Sequence, residues 1–278
     1  YTYVKGSWAL SAGIESAKFL ADNATNDGGA TTTRFEIGGG GDLVANGAWT
    51  AATVEEGPEY VTDGLVAYWD FSDGSGTTLT DVVNGHNGTI NGTPAWTDGL
   101  RSSAVTFSGD DSVSSFVNGT DLNFPTSAFT YEAWVKFNDG STSGRYFASN
   151  GWSEDCRGVR FNIIAGRAAY MLTYADGNVS YVTTSGMDTT NWHQVVAVRT
   201  ADGYNHLYID GNLDNATTGG TRPYTGTLRT DTGFNIGRSQ QDYDPNAYFI
   251  GTMTAFRVYN KALSEEEIEQ NYTYETYE

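Results

Sequence analysis

The chain predicts an all-β protein: a two-sheet antiparallel β-sandwich with a short C-terminal helix and a small N-terminal appendage. Three observations predict it. Aromatic residues make up 14% of the 278 residues and glycine contributes 34, against only 5 prolines, a balance that suits short strands joined by tight turns. Strand-like runs recur about every 8–15 residues from position 64 onward. Ser264-Glu-Glu-Glu267 is a capping box that opens a helix at the end of the chain.

The elements follow in order. Residues 1–62 differ from the rest, with the breaker Asn26-Asp-Gly-Gly29 and the glycine run Gly38–Gly41 among short apolar pieces such as Arg34–Ile37. That stretch is too small and too glycine-rich to bury a core alone, yet Trp8, Phe19, Phe35 and Trp49 are too apolar for a solvated linker. We therefore divide the chain into a 1–62 assembly or anchoring segment and a 63–278 sandwich domain. Strands are expected near 65–71, 104–107, 112–116, 129–137, 145–149, 158–164, 168–174, 178–184, 192–200, 204–210, 232–237 and 248–259. Phe129, Tyr131, Ala133, Val135 and Phe137 alternate onto one face, with Trp134 on the other, as in a strand buried on both sides. On the strand after Asn191, the set Trp192, Gln194, Val196 and Val198 reads as the core face. Asp202-Gly203 and Asp210-Gly211 mark tight turns. The helix is expected over 264–271, its acidic first turn matching the helix dipole.

Charge narrows the partners. The formal net charge is −19, from 34 acidic and 15 basic residues, so the surface repels nucleic-acid phosphates and anionic lipid headgroups. No nucleic acid and no membrane insertion are expected, since no run of 18 apolar residues occurs. The single cysteine, Cys156, permits no internal disulfide and is read as an inert buried thiol. The first residue is Tyr, which points to a processed chain and to an extracellular, cell-surface or virion-surface location.

Catalytic patterns are missing. A retaining glycosidase needs two carboxylates about 5 Å apart, which on one strand means acidic residues at alternating positions. Glu154-Asp155 are adjacent and point apart if extended, while Glu265–Glu267 open the helix. The three histidines, His86, His193 and His206, make no metal-binding or triad spacing, and Gly38–Gly41 lacks the Lys-Ser/Thr of a phosphate loop. The chain is therefore expected not to be an enzyme. Two aromatic and polar stretches are candidate ligand loops: Arg145–Arg157, with Tyr146 and Trp152, and Arg238–Tyr248, with Arg238, Asp242, Tyr243 and Asp244.

Several segments together resemble the laminin G-like, concanavalin A-like lectin and glucanase jelly-roll family. They are Gly64-Leu-Val-Ala-Tyr-Trp-Asp-Phe71, Asp81-Val-Val-Asn-Gly-His-Asn-Gly-Thr89, Ala104–Val113, Tyr131–Lys136, Trp192-His193 and Phe256-Arg-Val-Tyr259. The resemblance spans about residues 64–272 and implies a jelly roll. It also implies a calcium ion where the glycine-rich loop meets the last long strand, here with the Asp81 carboxylate and carbonyls around Asn84 and His86, or with Asp110 and Asp111 as further oxygen donors. One departure stands out: many relatives place an acidic residue just before the segment Phe256–Tyr259, and this chain has Thr254 and Ala255. Fold alone does not fix function. A non-catalytic recognition or adhesion module for a glycan or cell-surface polysaccharide is the first expectation. A building block of a virion surface, tail fibre, filament or surface layer, self-associating through residues 1–62, is the second; an accessory domain of a glycoside hydrolase is the third.

Overall fold

A computed structural model describes residues 57–137, 145–150, 158–228, 233–239 and 248–277. Its compact unit runs from Pro58 to Tyr277. The expected segment 1–62 thus falls almost wholly outside the described residues, as do Cys156, Trp152, Asp242, Tyr243 and Asp244. Residues 58–62 belong with the sandwich. Val61 is buried and its amide donates to Asn271 Oδ1 at 2.8 Å, and Gln270 Nε2 donates to the Glu59 carbonyl at 2.8 Å.

The strands, in chain order, are β1 (Leu65–Trp69), β2 (Thr78–Leu79), β3 (Gly88–Asn91), β4 (Ala95–Asp98), β5 (Ser103–Ser108) and β6 (Ser112–Ser114). They continue with β7 (Phe129–Phe137), β8 (Arg145–Asn150), β9 (Gly158–Ile164), β10 (Arg167–Thr173), β11 (Val179–Thr183) and β12 (His193–Arg199). Last come β13 (Asn205–Ile209), β14 (Asn212–Leu213), β15 (Thr217–Gly220), β16 (Phe234–Ile236) and β17 (Ile250–Tyr259). One helix, α1 (Glu265–Thr276), follows. Among the described residues the strands form two antiparallel sheets. One runs β14-β13-β12-β7-β17-β5-β4, with β1 also paired to β17; the other runs β15-β11-β10-β9-β8-β16-β6-β3-β2. The sandwich interior is aromatic. Trp69, Phe107, Phe129, Tyr131, Phe137, Phe147, Phe161, Phe234 and Phe256 pack there as one cluster, and Trp69 stacks on Phe234 with centroids 6.0 Å apart.

The alternation of β7 is as expected, with Phe129, Tyr131, Ala133, Val135 and Phe137 all in that interior. On β12 the expectation needs correction. Val195 and Ala197 enter the interior, while Val196 and Val198 join a second apolar layer with Val61, Tyr259, Leu263 and Ile268. The reason is that α1 and residues 58–62 cover the outer face of this sheet. Both alternating sets are therefore buried, and alternation cannot tell which lies inside.

The capping box is present: Ser264 Oγ accepts from the Glu267 amide at 3.3 Å, and Glu267 returns the bond to the Ser264 amide at 2.9 Å. The helix runs past the expected end at 271 because its second half has a docking surface. Tyr272 stacks on Trp134 at 5.6 Å and 18°. Glu275, buried, accepts from Arg257 Nη2 and, at 3.0 Å, from the Tyr68 hydroxyl. Arg257 also donates to Glu132 Oε1 at 2.8 Å, so one fully buried guanidinium lies between two carboxylates.

Candidate functional site: a groove on the outer face of the second sheet

Period-two alternation sends Val159, Phe161 and Ile163 of β9 into the interior and turns Arg160, Asn162 and Ile164 outward. On β10 it turns Ala169 and Met171 outward, and on β11 Tyr181 and Thr183. Antiparallel register then fixes the neighbours. Tyr146, Asn162, Ala169 and Thr183 form one row across four strands; Arg160, Met171 and Tyr181 form the next. Ala169, the smallest member, lowers the floor between its neighbours. The result is an open groove of about 330 Å³, lined by Tyr146, Arg160, Asn162, Ile164, Ala169, Met171, Tyr181 and Thr183, with parts of Tyr170 and Val182. Tyr146 and Tyr181 stand three strand spacings apart, about 14 Å. That volume lies at the small end of ligand sites.

Two details describe the lining of this groove. Asn162 Oδ1 and Arg160 Nε are buried and lack a hydrogen-bond partner among the described residues. The same lack is found at the Nε atoms of Arg199, Arg222 and Arg257, which do not line the groove, so it describes the lining without by itself marking a ligand. Gly219, paired with Tyr181 across β11 and β15, leaves space for the tyrosine ring: a Cβ there would lie 2.3 Å from Tyr181 Oη. Burial pushes the phenol of Tyr170, beneath the groove, well above its ordinary pKa and keeps it neutral.

The residues expected to hold calcium are not part of this groove. Asp81 is buried in the loop between β2 and β3, and its carboxylate accepts five hydrogen bonds. Oδ1 takes the amides of Tyr68 and Val83 at 2.9 and 3.0 Å. Oδ2 takes the amides of Asn84 and His86 at 3.2 and 2.9 Å, and His86 Nδ1 at 2.9 Å. Burial pushes the Asp81 carboxyl up, but the amides of Tyr68, His86 and Val83 outweigh it and hold the pKa below its ordinary value. The His86 carbonyl accepts the Trp69 indole N–H at 2.9 Å, and Asn84 Nδ2 donates to the Val66 carbonyl at 2.7 Å. A calcium site needs outward-facing oxygens. Here N–H groups point at the carboxylate instead, so these residues, as placed, do not fit a calcium ion. Asp111 is similarly engaged, by the Thr93 and Ser108 amides at 2.7 and 2.8 Å and the Ser108 hydroxyl at 2.7 Å. Among the described residues, no group of three or more His, Cys, Asp and Glu is placed to hold a metal ion.

Arg238 is not among the residues that line the groove, although its carbonyl accepts from Ser149 Oγ at 2.9 Å, one strand from Arg160. Its Nε donates to the Ser239 carbonyl at 2.9 Å, and its guanidinium sits 5.4 Å from the Tyr248 ring centroid. Of the first candidate loop, Tyr146 does reach the groove. Sequence reasoning missed Arg160, Asn162, Met171 and Tyr181. Their signal was present in the polar and large residues at alternate positions of 158–164 and 179–183, but only register brings them together. His193 is mostly buried, with Nδ1 2.8 Å from Asp210 Oδ2 and Nε2 3.5 Å from Asp188 Oδ2, the latter an electrostatic approach rather than a hydrogen bond.

Known structures share the fold. The binding domain of Paraclostridial Mosquitocidal Protein 1 superposes with a TM-score of 0.60 at 16% identity, over 76% of this chain and 52% of that one. A botulinum neurotoxin type C structure, whose cell entry is described as dependent upon interaction with two ganglioside molecules, gives 0.56 at 15%, over 77% and 52%. The binding domain of botulinum neurotoxin DC in complex with SialylT gives 0.56 at 15%, over 77% and 52%. The chain therefore spans about half the length of these structures, and at such identity the likeness is one of fold. Comparison with curated proteins returned no match. The family model of laminin G type, described as the concanavalin A-like lectin/glucanases superfamily, matches residues 111–269. Because that match covers more than half of the chain, the protein belongs to the concanavalin A-like lectin/glucanase superfamily.

Proposed function

We propose that this domain is a non-catalytic, extracellular or surface-displayed recognition module that binds a saccharide in the Tyr146–Tyr181 groove. The observation that carries the reading is the groove lining, in which the Asn162 amide and the Arg160 guanidinium are set between two tyrosines. Aromatic faces take sugar C–H surfaces, and amide and guanidinium groups take hydroxyls. The structural neighbours include toxin binding domains whose descriptions name ganglioside and SialylT, which is consistent with the same use of the fold. Among the described residues, Glu132 and Glu275 do converge, but Arg257 bonds both and they are buried, so a substrate has no access to them. No described helix is long and apolar enough to cross a membrane. The assembly reading rests on residues 1–56, which lie outside the described structure, so recognition is what the described geometry favours.

The test is glycan-array and affinity-electrophoresis binding by the full chain and by Tyr181→Ala, Gly219→Ala and Tyr204→Ala. Tyr181→Ala should weaken binding about tenfold or more, the effect of losing an aromatic anchor. Gly219→Ala should also weaken it, by moving the ring, whereas Tyr204→Ala, exposed and outside the groove, should not. Unchanged binding by Tyr181→Ala at an unchanged melting temperature would refute the groove.

A further inference from the structure

We propose that the saccharide taken by this groove is anionic, and that Arg160 reads its carboxylate. The inference rests on the saccharide reading and adds the ligand's charge class to it.

The argument starts from where the acid is not. Acidic residues outnumber basic ones 34 to 15 in the chain, so an arbitrary patch of surface carries negative charge. Strands β8, β9, β10, β11 and β15, adjacent in the sheet, carry no Asp or Glu at all. The groove lining repeats this on a smaller scale: its one charged side chain is Arg160, and its other polar groups are neutral. Arg160 Nη2 donates to Thr173 Oγ1 at 3.3 Å, and among the described residues no carboxylate pairs with the guanidinium. Among the described residues two arginines are fully buried; one of them, Arg199, donates to the carbonyls of Pro125, Ser127 and Gly226 and, like the half-buried Arg160, meets no carboxylate. The other, Arg257, sits between Glu132 and Glu275. A second cation lies on the same face. Arg167 is exposed, shares the outward parity of Ala169 and Met171, and pairs with Ile164, four residues along β9 from Arg160. That separation is about 13 Å. A flat face with cations at two points and no acid between them complements a chain of spaced negative charges. Guanidinium suits the task because it meets a carboxylate through two parallel N–H bonds. The net negative charge of the chain opposes unspecific binding of anions, so a cationic strip free of acid adds selectivity.

The experiment measures binding of the full chain to matched pairs that differ only in charge. The pairs are polygalacturonate against its methyl-esterified form, a sialylated oligosaccharide against its asialo form, and dextran sulfate against dextran. The expected result is binding to polygalacturonate or to the sialylated probe, about tenfold or more weaker for the uncharged partner and weakening as salt rises. Arg160→Gln should reduce binding of the acidic probe to the level of its neutral partner and flatten the salt dependence; Arg160→Lys should keep the salt dependence at reduced affinity. Arg167→Gln should give a smaller loss. A melting temperature close to wild type for Arg160→Gln separates a binding effect from a folding one, and if that variant is unstable, Arg160→Lys and the esterified pair decide. Equal or tighter binding of the neutral partners overturns the charge assignment and leaves the groove reading standing. Binding of dextran sulfate alone overturns the carboxylate assignment. Failure of every charged and neutral probe to bind overturns the saccharide reading and this inference with it.

Discussion

Replacing Arg257 by methionine removes the one cation between two buried carboxylates, and the structure sets the size of the effect. Arg257 is fully buried, bonds Glu132 at 2.8 Å and also bonds Glu275, and lies 4.1 Å from the Tyr68 ring centroid. Burial opposes its charge, but Glu132, Tyr68 and Glu275 raise its pKa well above the ordinary value, so it stays protonated throughout the working range. Without it, Glu132 and Glu275 remain inside the protein, facing each other. Removing one partner of a buried ion pair costs about 3–5 kcal/mol, against a total domain stability of about 5–15 kcal/mol. Urea denaturation at pH 7 followed by tryptophan fluorescence measures the loss. Hydrogen exchange should locate it: amides of 265–276 should speed up well before those of β9 and β10, because Arg257 pins α1 and not the second sheet. Adding Glu132→Gln and Glu275→Gln to the variant should recover much of the loss, since the unpaired charges are then gone. A loss below about 1 kcal/mol, or a loss that the triple variant does not reduce, would refute the claim that this arginine's charge holds the helix down.

Two further outcomes test the remaining polar anchors. Asp81→Ala leaves the amides of Tyr68, Val83 and His86 without their acceptor and should cost about 2–3 kcal/mol with calcium or with EDTA, while EDTA alone should leave the wild-type melting curve unchanged; stabilisation by calcium that Asp81→Ala abolishes would reinstate the metal. Because the folded pKa of Asp81 lies below 3.8, its contribution is present above that value and should fade as pH falls through the folded pKa. For His193 the sign reverses: the Asp210 bond raises its pKa above 6.5, so the stabilisation is complete below 6.5 and lost as pH rises through the folded value. His193→Gln should therefore cost more at pH 5 than at pH 8.5, and an equal cost at both would show that the ring acts only by packing.

What the sequence by itself determined is what short-range physics encodes. Alternation placed Phe129, Tyr131, Ala133, Val135 and Phe137 on the inner face and Trp134 on the opposite one, and a Ser-x-x-Glu box opened the helix, because each needs only neighbours within a few residues. The same local pattern stops at the helix end, since what extends α1 to Thr276 is Trp134 and Arg257, far away in the chain. Glu132 reads in sequence as one polar residue in a strand, and only folding brings it to Arg257, 125 residues on, and to Asn271, 139 residues on. Asp81 shows a different limit. The family resemblance implies an oxygen-rich metal loop there, yet four backbone amides and the His86 ring direct their nitrogens at the carboxylate, and the direction of an N–H is not written in residue type. Tertiary structure alone decided the groove. Tyr146, Asn162, Ala169 and Thr183 come from four strands, and a slip of one residue in any pairing would turn that strand's contribution into the core.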